Sequence, residues 1–395
     1  MKLTEETPFF FIYSVWIKNG EYREQVKRLV TDYDNYISLK LAGDDAYLSE
    51  KMVGYPAELD EVYAESFEEQ KKEWFSCVGD GIQECRNTWE HKKWNITDFP
   101  EFELAITIDR PELYYDFLQK DWTRFCHDYW KNNFLEHHTL SQKRVTRIYI
   151  GNQFCHNLFP KKKLLFQVLE KALENNLAVT LAFSYIRNHL LEEIDELLQE
   201  LEVWCQSREK EAGKDQEEII VNDWAMPILL QGKPHLKPVL GVLLNKRRKD
   251  VRLPYKHGIG NHVDSLAENN LNCGFYQDYL RNTFDIQRFE FESCGYKVTI
   301  PDGHHSLHLP FFQTNTSQYC TLYAVCRYGD RGKQKLPENC PRYCNKKVFL
   351  YPKHLKMVGR YNSLFGYDEK ILWDEKQLQD YLEQGIDRIV VNVSL

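Results

Sequence analysis

From residue 102 onward, short apolar runs alternate with long amphipathic stretches, and this alternation limits the architectures open to the chain. Strand candidates are 103–108 (ELAITI), 146–150 (TRIYI), 177–183 (LAVTLAF), 217–221 (EEIIV), 238–244 (PVLGVLL), 285–291 (DIQRFEF) and 387–393 (DRIVVNV), with one more at 296–300 (YKVTI) or at 309–315. A helix over 162–175 is predicted from Leu164, Leu165, Val168, Leu169 and Leu173. Another, over 189–206, is predicted from Leu190, Leu191, Ile194, Leu197 and Leu198. About eight βα units predict a (β/α)8 TIM-like barrel over 101–395, with a doubly wound open sheet as the alternative.

The first hundred residues follow a different rhythm. A strand at 8–16, a helix at 21–33, a strand at 36–41 and a helical stretch at 58–93 suggest a small α/β or α+β module, and 94–101 reads as the linker. This module is acidic: residues 1–100 hold 12 Lys/Arg against 20 Asp/Glu, whereas the remainder holds 39 of each. It is expected to cap the barrel or to recruit a partner subunit. A chain with this balance lacks the basic footprint of a nucleic-acid binder. The runs Lys161–Lys163 and Lys246–Lys249 read as solvated faces. No apolar run is long enough for membrane insertion. The N-terminus, with Glu5 and Glu6 ahead of Phe9 to Phe11 and Trp16, does not read as a secretory signal. Eleven cysteines without an export signal point to a cytoplasmic protein with reduced thiols.

Four of those cysteines, Cys320, Cys326, Cys340 and Cys344, crowd one segment with five, thirteen and three residues between them. Closely spaced thiolates hold zinc or an iron–sulfur cluster. From spacing alone, three readings stay open: a 4Fe-4S cluster, a structural zinc, or unconnected buried cysteines. Cys155 follows the strand TRIYI and Cys320 follows an apolar stretch, so in a barrel both would lie on one rim. Cys77, Cys85, Cys126, Cys205, Cys273 and Cys294 read as ordinary small apolar or isolated residues.

Several stretches, in order, resemble the peptidase U32 family (collagenase-like), and within it the iron–sulfur subunits of ubiquinone-precursor hydroxylation. They are RIYIGNQFC (147–155), IIVNDWAMPILL (219–230, with Ala225 where the family has glycine), HLPFFQTNTSQYC (308–320), the late cysteine loop, and FLYPKHLKMVGR (349–360). The resemblance covers about 102–395 and does not extend to the first hundred residues. It implies a barrel with a 4Fe-4S cluster on four cysteines. It also implies oxygen-independent hydroxylation, which relatives carry out on ubiquinone precursors, tRNA uridine or ribosomal RNA, with oxygen drawn from a prephenate-like donor, and a protein partner subunit; the charge balance speaks against RNA and narrows the expected acceptor to a small molecule or peptide. Cys320, Cys326, Cys340 and Cys344 are the expected ligands. Some relatives take one ligand from the early loop, which makes Cys155 the substitute.

Within this frame, Asp223 at the end of a strand is expected to point into the barrel mouth. His257 and His262 flank the loop KHGIGNH (256–262), and His304, His305 and His308 precede the cysteine segment as acid–base candidates. Arg327 and Arg331 suit a donor's carboxylates. The alternative functions are a non-catalytic metal-bearing partner subunit and a true peptidase. Proteolysis has little in its favour, since neither G-x-S-x-G nor H-E-x-x-H occurs.

Overall fold

The computed structural model describes residues 2–6, 11–14, 19–22, 25, 99–212, 217–251, 267–330 and, apart from 331, 334, 338, 352–355 and 369, 332–393. Near the N-terminus, strands β1 (Lys2–Glu6) and β2 (Phe11–Ser14) pair antiparallel. The strand expected at 36–41 and the helical stretch at 58–93 lie outside the described residues.

The repeating unit begins at β3 (Glu103–Ile108). It continues through β4 (Arg147–Gly151), β5 (Ala178–Ala182), β6 (Glu217–Val221), β7 (Leu236–Leu240), β8 (Glu290–Glu292) and β9 (His305–Leu309). Four further strands then interrupt it: β10 (Phe311–Thr316), β11 (Phe349–Leu350), β12 (Met357–Arg360) and β13 (Ser363–Tyr367). They form a separate antiparallel sheet in the order β10-β13-β12-β11. The chain returns as β14 (Ile386–Val391), which lies between β3 and β9 and is parallel to both. The resulting sheet reads β7-β6-β5-β4-β3-β14-β9-β8. Its two edges meet at a parallel bridge between Leu240 and Phe289, where the Leu240 N–H donates to the Arg288 carbonyl at 3.0 Å. The architecture is therefore a nearly closed (β/α)8-like barrel flanked by helices.

Those helices are α1 (Pro111–Gln119), α2 (Trp122–Asn132), α3 (Lys162–Glu174), α4 (Leu191–Ala212), α5 (Ala225–Leu229), α6 (Gly274–Phe284), α7 (Thr321–Tyr328) and α8 (Glu375–Glu383). In α3 the buried residues Leu165, Val168, Leu169 and Ala172 recur at helical spacing. Burying each of the larger three against the sheet contributes about 1.5–3 kcal/mol. Asp121 starts α2 and Asp374 starts α8, each accepting a backbone N–H from the first turn. Among the described residues no helix is long and apolar enough to cross a membrane.

Period-two alternation sends Leu104, Ile106, Ile148, Ile150 and Leu181 to the helix side of the sheet, where they join the main core. The opposite face looks into the barrel. There Ala105, Tyr149, Ala182, Ile220, Val239 and Val390 form one apolar layer. An ionic network takes the place of the usual branched aliphatic residues beside it. Arg388 reaches Glu218 at 2.6 and 3.0 Å and Glu103 at 2.5 Å. Arg147 reaches Glu103 at 3.0 Å, and Thr180 donates to Glu218 at 2.8 Å. Buried charges are tolerated when each is paired and hydrogen-bonded. Burial alone would raise the Glu218 carboxyl, but the Arg388 and Arg147 guanidinium groups hold it down at about 2.

The seventh barrel strand differs from both expected positions. It is HSLHL, whereas 296–300 forms no strand and 311–316 pairs with β13 outside the barrel. Polar inward positions at Ser306 and His308 conceal it from a search for apolar runs.

Candidate functional site

The early loop of the site is set by Gly151, which ends β4 at φ +110. A Cβ there would stand 2.6 Å from the Ala182 carbonyl oxygen and 2.7 Å from the Phe159 ring, so only glycine permits the turn. The Asn152 side-chain oxygen then accepts the backbone N–H groups of both Phe154 and Cys155 at 2.9 Å. This turn aims Cys155 off the barrel rim.

The late segment begins after β10. Cys320 is the N-cap of α7: its sulfur accepts the Tyr323 N–H at 3.3 Å and its thiol donates to the Tyr361 carbonyl at 3.0 Å. Gly329 ends the helix in the left-handed region. Cys344 follows in a short 3-10 turn (Tyr343–Asn345), where its carbonyl accepts the Arg360 Nε–H at 3.0 Å.

These two segments meet. Cys155, Cys320, Cys340 and Cys344 line one small cavity together with Asn157, Leu158, Leu322, Tyr323, Tyr343 and Tyr361, and the free space among them is about 20 Å³. Cys344 is buried and the other three are half-buried. Burial pushes the Cys155 thiol up to about 11, with a further push from Cys340. Burial likewise raises Cys344 to about 12, with Cys155 and Cys340 adding to the effect. Cys320 is also pushed up, by burial first and then by Cys155, Cys344 and Cys340. The four sulfurs thus sense one another electrostatically. Cys326, on α7, does not line the cavity, and burial alone raises its thiol. Among the described residues no three His, Cys, Asp or Glu side chains are grouped closely enough to hold a single metal ion.

A second cavity, of about 40 Å³, opens at the barrel mouth, lined by Thr107, Asp109, Tyr149, Asn152, Gln153, Phe154, Glu292, His308, Phe365 and Asn392, among others. His308 is buried and its Nε2 bonds the Glu290 carboxylate, which also accepts the Tyr149 hydroxyl at 3.1 Å. Burial would raise Glu290, but His308 lowers it. Glu292 is held by Lys249 at 2.5 Å and by the Gln313 N–H at 2.7 Å. Among the described residues, neither arginine nor lysine appears in the lining. Phe154 and Phe365 meet edge to face at 4.9 Å, and Phe365 lies 6.3 Å from Tyr361. Phe154 faces this cavity and its neighbour Cys155 the other, so the two share a wall.

The remaining expected residues lie elsewhere. Asp223 does not enter the mouth: its side chain accepts the N–H groups of Ala225 and Met226 at 3.0 Å and that of Ile186. It caps α5 and ties it to the loop after β5. Asn222 points inward instead, donating to the Phe183 carbonyl at 2.8 Å. Arg327 is exposed in the last turn of α7 and lines neither cavity. His257, His262 and Arg331 lie outside the described residues, as do Cys77 and Cys85. His304 is exposed beside Asp387, and His305 stacks on Phe289 on the helix side of the sheet. Cys205 is buried and Cys294 sits against Arg247 at 2.9 Å. Asn152, Asp109, Glu290 and Tyr361 belong to the site without having carried a sequence signal. Comparison of the chain with protein-family models, with curated proteins and with solved structures gave no match.

Proposed function

We propose that the chain is an iron–sulfur-dependent, oxygen-independent hydroxylase-like enzyme of the U32 type, with a 4Fe-4S cluster held by Cys155, Cys320, Cys340 and Cys344. The observation that carries this reading is the convergence of thiols from two distant segments on one cavity beside the barrel mouth. Four thiolates on one zinc, each at about 2.3 Å, must crowd together. Four thiols drawn from two segments suit a cluster, where each cysteine holds a different iron.

When bound, the cluster supplies electron transfer and, with an open ligand position, Lewis acidity. The chain's own groups do the rest. His308, fixed through Nε2 by Glu290, has Nδ1 left to exchange a proton with a ligand in the mouth. Tyr149 keeps Glu290 oriented. Phe154 and Phe365 wall the chamber against water. The Asp109 carboxylate among aromatic walls suits a small-molecule acceptor or a peptide side chain. In the overall reaction the oxygen donor is reduced by two electrons as its oxygen leaves. The acceptor carbon is oxidised by two as that oxygen enters its C–H bond.

Iron and sulfide analysis of anaerobically prepared protein tests the reading. About four of each per chain is expected for a 4Fe-4S centre, with a broad visible absorption. A colourless protein carrying one zinc overturns it.

A further inference from the structure

The insertion after β9 carries charge of one sign. Residues 320–360 hold ten Lys/Arg and two Asp/Glu. Arg327, Lys333, Lys335 and Lys346 are exposed there and Arg342 is half-buried. Among the described residues none of these five makes an ion pair. Elsewhere surface cations are matched: Lys120 by Asp116 and Asp128, Lys162 by Glu200, Lys376 by Asp380. Tyr319, Tyr328 and Leu336, all more than a third exposed, belong to the same part of the chain. Tyr328 and Tyr343 each pack against Tyr323, at 6.0 and 6.3 Å. Like charges crowded this closely repel one another until a counter-charge covers them. Arginine and tyrosine at the surface are the residue types that interfaces favour.

The complementary charge lies in the same chain. Residues 44–69 hold nine Asp/Glu and one Lys, whereas the rest of the first hundred residues is balanced, with eleven of each. The acidic excess of that region is thus confined to one stretch, and it equals in size the basic excess of the insertion. Its acids are interleaved with Tyr47, Tyr55, Tyr63 and Phe67, side chains that suit the tyrosines among the cations. We propose that residues 44–69 dock on the basic face of the insertion within the same chain, their carboxylates on Arg327, Lys333, Lys335, Arg342 and Lys346. Chain length permits this. Phe99 precedes β3, at the end of the barrel opposite the rim. The twenty-nine residues between the acidic stretch and Phe99 reach about 95 Å when extended, against roughly 20 Å for a strand of six. A single-stranded nucleic acid would use the same cations and stack on the same tyrosines. The matched charge favours the acidic stretch, and its tether gives it an effective concentration on the order of millimolar, which a free polyanion must overcome.

Carbodiimide coupling of the full chain, which joins a carboxylate to a lysine amine in direct contact, tests this when the products are read by mass spectrometry. Cross-links from residues 44–69 to Lys333, Lys335 or Lys346 are expected at low salt. They should be lost at about 1 M salt, where screening shortens the reach of a charge to about 3 Å. If those lysines couple only to other carboxylates, or to none, the proposal is overturned. An equal mixture of ordinary and isotope-labelled chains separates docking within a chain from docking between copies. Cross-linked pairs of one isotopic composition are expected, and mixed pairs overturn docking within the chain. Fluorescent oligouridine probes the competing occupant, and the full chain is expected not to bind it. Binding that is lost when Lys333, Lys335 and Lys346 are changed to Glu assigns the face to nucleic acid and overturns the proposal.

Discussion

The side-chain oxygen of Asn152 holds the backbone N–H of Cys155 at 2.9 Å, and this contact delivers the one early-loop thiol to the three on the late segment. The same oxygen accepts the Phe154 N–H. Removing it leaves two partly buried donors without their acceptor. Asn152→Ala is expected to cost about 1–3 kcal/mol of stability and to lower iron retention. Denaturant titration and metal analysis of the same preparation check both effects; a variant with unchanged iron content would separate loop geometry from the centre.

Cys155 and Cys326 make opposite predictions. Cys155 lines the thiol cavity and Cys326 does not. Cys155→Ala should therefore lose most of the iron and sulfide after anaerobic reconstitution, while Cys326→Ala should keep both. The reverse pattern would return the centre to the four late cysteines.

The thiols also predict how the metal-free chain responds to alkali. Folding raises Cys155 to about 11 and Cys344 to about 12 from an ordinary 9.0. A thiol raised on folding binds its proton more tightly in the native state, so the unfolded chain ionises first and stability falls as pH rises above 9. Metal-free wild type should lose stability between about pH 9 and 12 more steeply than a variant with Ser at 155, 320, 340 and 344. Denaturant midpoints measured across that range check the difference in slope. For the same reason, metal uptake should release protons and improve with rising pH.

Inside the barrel, Arg388 neutralises Glu218 and Glu103 together. Arg388→Met removes the cation and leaves both carboxylates short of a partner, with an expected loss of about 3–5 kcal/mol. Acid should act on the same network. Glu218 is held at about 2 against an ordinary 4.5, so its contribution is present above 4.5 and lost as pH falls toward 2. Circular dichroism during acid titration should show wild type unfolding in that window and Arg388→Met starting from lower stability.

How much of this was legible in the sequence varies by element. ELAITI and LAVTLAF read as strands because their helix-facing positions are apolar without interruption. HSLHL was hidden because Ser306 and His308 face the polar interior, so the run looks like a loop. Asp223 was placed in the mouth by its position after a strand. The alternation that sends Glu218, Ile220 and Asn222 inward turns Asp223 outward, a parity that EEIIVND already contains. The meeting of Cys155 with the late thiols rests on topology: the insertion after β9 lies over the rim where β4 ends. Spacing along the chain favoured Cys326, because sequence distance says nothing about which side of α7 a thiol occupies. Tyr361 carries no sequence signal, since a left-handed turn residue set against the thiol cavity exists only in three dimensions.

The position of β14 between β3 and β9 has a consequence for biosynthesis. Every other barrel strand leaves the ribosome earlier, and the first of them must wait with an unfilled edge until residues 386–391 emerge. A nascent chain therefore cannot close its barrel in stages; the interior stays open at that seam until the last of the eight barrel strands has been made.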